Sequence, residues 1–273
     1  MRGIFSTGVL DAFSDGGYRP FDVCYGVSAG ATNLAAWLAG QRGRNYTVIT
    51  DYSCRPPFID FRRFLLGGHW LDLDWLWDIT IREIRLDLER FARQPMALYI
   101  VATRVADGQA AYIRARAENL EILLKASCAV PVVYRDFPLL DDAPYTDGGV
   151  ADSIPVIKAY EAGARAITVI LSRPEGYRKT PSRWPSLLRR LLKHQPPLAE
   201  AMLRRHNAYN RAIDFIENPP PDCRIQVIAP PKDFAVGRVT TDQGRLEAGY
   251  AMGLAAGRAA TRQAPLMSTG RVG

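Results

Sequence analysis

Two hydrophobic periods alternate along this chain. Ile4, Val9, Leu10 and Phe13 share a helical spacing that Gly16-Gly17 closes, and Phe21-Asp22-Val23-Cys24-Tyr25 reads as a short buried strand. Gly26-Val27-Ser28-Ala29-Gly30 then turns sharply into an alanine-rich helix over 31–38, ended by Gly40. Residues 41–92 are aromatic and charged, with no clean period, and predict several short helices. Met96 to Val105 is a β-branched apolar run suited to a central strand, and 110–114 can pair with it.

Helical spacing returns over 118–126 and stops at Val130-Pro131. A turn at Asp141-Asp142 leads to Tyr145-Thr146-Asp147-Gly148-Gly149. Beyond it the pattern predicts a helix over 154–162, a strand over 166–171 and a long amphipathic helix over 198–216. A strand over 225–228 and a helix over 241–260 complete the series. Strands alternating with helices predict an α/β domain with a largely parallel sheet. No internal repeat or clear domain boundary interrupts the series, and residues 263–273 read as a frayed tail.

Composition narrows the class. The 273 residues are 48% hydrophobic and 23% charged, enough for a sizeable buried core. No apolar run is long enough to span a bilayer, and Asp11 and Asp15 come too early for a secretory signal. The expected location is therefore cytoplasmic. Cys24, Cys54, Cys128 and Cys223 form no CxxC pair, so neither zinc nor a redox motif is supported, and reduced thiols are expected.

The net charge is +7, and the densest basic cluster is Ser182-Arg183-Trp184-Pro185-Ser186-Leu187-Leu188-Arg189-Arg190-Leu191-Leu192-Lys193. That stretch suits a basic amphipathic helix resting on an anionic bilayer, or an ordinary surface helix with its apolar face on the core. No nucleic-acid module accompanies the basic residues, and no nucleic acid partner is expected.

The chemistry lies in Gly26-x-Ser28-x-Gly30. Between a strand and a helix, this turn pushes a serine out of the sheet edge, and flanking glycines remove side chains that would clash. The N–H groups of the following helix can then stabilise developing negative charge. A bare N-cap serine is the alternative. In the α/β-hydrolase fold several strands precede such an elbow, whereas only 27 residues precede Ser28. That argues against the fold, although the order Ser28, Asp147, His206 would suit its triad. His69, His194 and His206 each fit a surface or structural role.

Asp147-Gly148-Gly149 alone is an ordinary turn signal. Paired with the early serine turn it gains meaning, and here the sequence resembles the patatin-like phospholipases, in their bacterial branch. The matching motifs, in family order, begin with Arg2-Gly3, Gly26-Val27-Ser28-Ala29-Gly30 and Val101-Ala102-Thr103. Ala126-Ser127-Cys128-Ala129-Val130-Pro131 follows, and then the run from Tyr145 to Pro155 through Asp147-Gly148-Gly149. The resemblance implies a three-layer sandwich with a mostly parallel central sheet flanked by helices. It implies a catalytic core over 1–172, and the C-terminal helical extension over 173–262 is expected to pack on the same domain.

It also implies a serine–aspartate dyad without histidine, metal or other cofactor, in which Asp147 takes the proton of Ser28 and an acyl-enzyme is hydrolysed by water. Arg2, Gly3, Gly26, Ala29 and Gly30 would build the oxyanion site and elbow, and Gly148 and Gly149 would support the base. The implied substrate is a fatty-acyl ester in a phospholipid, lysophospholipid or neutral lipid. The family begins with a strand and a glycine-rich oxyanion loop, and Met1 stands just after their position. The expectation is therefore that the loop's core is missing and turnover impaired. A catalytically silent lipid-binding protein of the same fold is the competing reading. Trp70, Trp75 and Trp77 in one short segment suit either an acyl-binding lid or a helix covering the core.

Overall fold

The computed structural model describes residues 1–263, and its elements follow the hydrophobic pattern closely. Helix α1 (Ile4–Asp15) precedes strand β1 (Val23–Val27) and helix α2 (Ala29–Leu38). The aperiodic aromatic segment contains four short helices, α3 (Arg44–Thr50), α4 (Phe61–Leu65), α5 (Leu73–Glu83) and α6 (Leu88–Arg93). β2 (Ala97–Arg104) and β3 (Ala110–Arg114) form a hairpin, and α7 (Leu120–Cys128) follows. A second hairpin joins β4 (Leu139–Leu140) to β5 (Ala143–Asp147) through Asp141 and Asp142, both at positive φ as a tight hairpin turn requires. The remainder runs α8 (Val156–Glu161), β6 (Ala166–Ile170), α9 (Pro185–Leu191), α10 (Pro196–Glu217), β7 (Arg224–Ile228) and α11 (Gln243–Gln263). The frayed tail expected from residue 263 lies outside the described residues, save Gln263 at the end of α11.

These elements form the three-layer α/β sandwich. On one face of β2, Leu98 and Ile100 are buried against α1, α2 and α7 through Phe5, Val9, Ala35 and Leu123. Burial of one such side chain contributes roughly 1.5–3 kcal/mol. On the other face Tyr25 stacks on Tyr99 at 5.4 Å, and Lys158 of α8 sits over Tyr112. α11 lies on α1 with the backbones nearly touching: a Cβ at Gly253 would sit 2.1 Å from the Phe5 carbonyl.

The sheet is mixed rather than mostly parallel. In the five-stranded sheet only β1–β2 pair in parallel, whereas β2–β3, β2–β5 and β4–β5 are antiparallel; β6 and β7 form a separate two-stranded parallel sheet. An apolar run reveals that a strand is buried but not which way it runs. The short connections after Arg104 and Leu140 leave room only for antiparallel returns.

Register decides what the sheet can do. Val101 pairs with Val27 on one edge and Tyr112 on the other, and Ala102 pairs with Asp147 and Ala111. β3 therefore occupies one edge of β2, and β1 and β5 share the opposite edge end to end. Running in opposite directions, they point their C-termini at each other across consecutive residues of β2. β1 and β6 each pair with a single neighbour among the described residues.

Candidate active site

The head-on junction brings Ser28 and Asp147 together, 119 positions apart in sequence. Ser28 Oγ donates to Asp147 Oδ2 at 2.7 Å, and the N–H of Gly149 donates to Asp147 Oδ1 at 2.7 Å. Ser28 sits at φ 52°, ψ −129°, a conformation that non-glycine residues adopt only under constraint. The constraint is visible: the Ser28 N–H donates to Ser127 Oγ, which donates in turn to the Val101 carbonyl. Ser127 of α7, fully buried, thus pins the elbow to the end of β2.

Two glycines make the junction possible. A Cβ on Gly26 would lie 2.6 Å from Ala31 Cα, so only glycine lets the strand fold onto α2. A Cβ on Gly148 would lie 2.1 Å from the Val101 carbonyl, where the chain leaving β5 crosses β2. Arg2 and Gly3 arrive from the start of α1, and a Cβ on Gly3 would press on Ala29 at 2.8 Å. Asn33 fastens that approach by donating to the Gly3 carbonyl. The first N–H groups of α2, at Ala29 and Gly30, have no carbonyl partners within their helix and lie on the cavity wall.

Asp147 is 7% exposed, and burial raises its pKa above the usual carboxylate range. The hydrogen bonds from Ser28 and Gly149, with the charges of Arg238 and Arg205, oppose that rise. A buried carboxylate bonded to a serine hydroxyl can accept its proton, and the adjoining helix N-terminus can hold an oxyanion. Cys128, flanking the pair, is an inert neighbour, since burial pushes its thiol well up. All four cysteines are free thiols.

The histidines stand apart from this pair. His69 stacks on Tyr134, and its Nδ1 accepts from the Arg135 N–H. With Asp74 and Asp136 it forms a small polar cluster, where Lys125 already neutralises Asp74. His194 is exposed. His206 reaches the cavity wall, but its Nδ1 is bonded to the Leu203 carbonyl of its own helix.

A cavity of about 1140 Å³ opens beside Ser28. One wall is apolar, with Phe58, Trp70, Leu73, Leu76 and Trp77. Leu73 and Leu76 also pack into the core beneath, so the segment both covers the core and lines the cavity. The open edges of β1 and β6 line the cavity too, through Val23 to Tyr25 and Ala166 to Ile170. A third wall comes from residues 172–183 and α10, and it carries cations that sequence patterning did not single out. α9 stands outside: Leu188 and Leu192 face inward, whereas Trp184, Leu187 and Leu191 are more than half exposed.

The mixed α/β sandwich sets a strained serine elbow against a buried aspartate at one strand junction, and comparison with known proteins gives the family. A profile described as Patatin-like phospholipase matches residues 1–160, so the chain belongs to that family. A profile described as Domain of unknown function (DUF6363) matches residues 195–264. The chain is also similar, at 35% identity over 263 residues, to the uncharacterized protein YjjU of Escherichia coli (strain K12). That match covers 94% of this chain and 73% of the relative. No helix among the described residues is long and apolar enough to cross a membrane.

Proposed function

We propose that this protein is a serine lipid acyl hydrolase that cleaves fatty-acyl esters through Ser28 as nucleophile and Asp147 as general base. The observation that carries the reading is the 2.7 Å bond from Ser28 Oγ to a buried carboxylate, made at a strained elbow. In the first step Asp147 accepts the hydroxyl proton as Ser28 Oγ attacks the ester carbonyl. The tetrahedral oxyanion faces the N–H groups of Ala29 and Gly30, with Gly3 and Arg2 beside them. The alcohol leaves with the proton from Asp147, and water, deprotonated by the same carboxylate, then releases the fatty acid. Gly26 shapes the elbow, and Gly148 and Gly149 hold the base. No metal or other cofactor takes part in this scheme.

The test is covalent. A fluorophosphonate probe should label wild-type protein at Ser28, located by peptide mass, with parallel turnover of a short-chain nitrophenyl ester. Labelling elsewhere, or turnover without labelling, removes the nucleophile assignment.

The core over 1–172 would carry the chemistry, with 173–262 packed on it as one cytoplasmic unit that meets membranes at their inner face. Trp184, Leu187 and Leu191 project from α9 beside Arg183, Arg190 and Lys193, an arrangement suited to anionic bilayers. Flotation with anionic vesicles should recover the protein, and Trp184→Ala/Leu187→Ala should cut recovery by about fivefold or more. Binding that is indifferent to those changes would refute the docking face.

A second reading is a lipid-binding member with impaired turnover. It draws on the open edges of β1 and β6, which leave that side of the cavity without a further strand among the described residues. It predicts vesicle binding that survives Ser28→Ala, with no ester turnover in the wild type.

A further inference from the structure

Five cations converge on the cavity wall beside Asp147: Arg2, Arg173, Lys179, Arg205 and Arg238. None forms an ion pair with a carboxylate among the described residues, unlike Arg178 and Arg189. The contrast is sharpest between neighbours. Arg178 is held outward by Asp214 and Glu217, while Lys179 turns inward with no acid to meet it. The Lys179 backbone is clamped to Asn210 of α10 by two hydrogen bonds, which fix where its side chain enters. Lys179 Nζ lies 3.4 Å from Ser153 Oγ, which donates to the Gly149 carbonyl, one residue pair from the Asp147 carboxylate. Arg173 Nε is buried with no hydrogen-bond partner.

Such a cluster is unfavourable when empty. Burial, joined by repulsion from Arg205, Arg238 and Arg2, lowers the Lys179 pKa to about 7. Burial and repulsion from Arg173 and Arg238 likewise lower that of Arg2 to about 10. A bound anion would relieve both the repulsion and the unpartnered Arg173 Nε. The head group that fits carries no compensating cation. An ammonium would need a carboxylate or an open aromatic face, but Asp147 is engaged by Ser28. The two tyrosine rings at hand are already covered, Tyr177 by Arg173 and Tyr209 by Lys179.

We propose that this cluster, four of whose members lie outside the patatin-like match, binds the phosphate of an anionic acyl-ester substrate while the Trp70–Trp77 wall takes its acyl chain. Preferred substrates are then acyl glycerols ending in a bare phosphate, rather than neutral glycerides or zwitterionic phospholipids. Part of the region of unassigned function, through Arg205 and Arg238, thereby acquires a role as head-group reader. The substrate preference rests on the hydrolase reading, whereas the binding site does not.

The experiment separates the two. Ser28→Ala protein is titrated by calorimetry with lysophosphatidate, lysophosphatidylcholine and monoacylglycerol of one chain length. Lysophosphatidate should bind about tenfold or more tightly than either of the others, with a preference that weakens in salt. In a background of Lys179→Gln/Arg205→Gln the preference should collapse, and Arg205→Lys should restore part of it; a melting curve checks that each variant is folded. Equal affinity for the three lipids, or a preference that survives the double substitution, overturns the proposal. Inorganic phosphate should compete only weakly for want of an acyl chain. If it binds as tightly as the lipid, the site serves the free ion; if the free fatty acid does, it serves the product. Either outcome overturns the substrate assignment. Nitrophenyl ester turnover by wild-type protein reports separately on the hydrolase reading.

Discussion

Ser28→Gly and Ser28→Ala should both abolish ester turnover, and the glycine variant should be the more stable of the two by about 1–2 kcal/mol. Removing the nucleophile should cost on the order of 10⁴–10⁶ in kcat. The stability comparison is the more diagnostic half. At φ 52°, ψ −129° a side chain is strained, and glycine is not. Both variants lose the same bond to Asp147, so their difference isolates the strain. In ordinary backbone the order is reversed, with glycine costing about 0.5–1 kcal/mol relative to alanine in a helix or strand. Thermal melts of the two variants under one condition give the answer. Alanine above glycine would mean that the elbow stores no strain.

Asp147→Asn should lower kcat/KM by about 10²–10⁴ while leaving Ser28 in place, because the amide keeps the shape but cannot take a proton. On the proposed mechanism, turnover in the wild type needs the carboxylate form. Burial raises the pKa of that carboxyl, so activity should fall with decreasing pH through a limb above the ordinary aspartate value of about 3.9. Stability runs the other way. A carboxyl whose folded-state pKa is raised favours the fold when protonated. Its contribution is complete below the unfolded-state pKa and is lost as pH rises through the folded-state pKa. Asparagine imitates the protonated form and keeps an acceptor for the Gly149 N–H. The variant should therefore melt higher than wild type at neutral pH, and the gap should close in acid. A pH–rate profile beside a pH series of melts tests both signs.

Ser28 and Asp147 were legible because each sits in a short motif whose neighbours are dictated by close backbone approach. Most helix and strand positions were equally legible, since they follow from apolar spacing. Strand direction was not, because the same buried run serves either sense, and β5 returns antiparallel through connections that spacing does not encode. Ser127 looked like part of a motif, yet its work of tying the elbow to Val101 depends on a packing angle between α7 and β2. The cations were the least visible. Lys179, Arg205 and Arg238 lie in three unrelated segments, each unremarkable as surface sequence. Only the tertiary fold shows that they share one wall while Arg178 does not.

The meeting of β1 and β5 on a single edge of β2 also bears on how the protein becomes competent. No contiguous fragment shorter than the span from Ser28 to Asp147 holds both groups, and neither helix formation nor collapse aligns them. Helical signal is local and can form early, whereas this junction closes long loops on both sides of β2. On the proposed hydrolase function, regain of ester turnover during refolding should therefore time the docking of distant strands onto one register, a later event than the return of secondary structure.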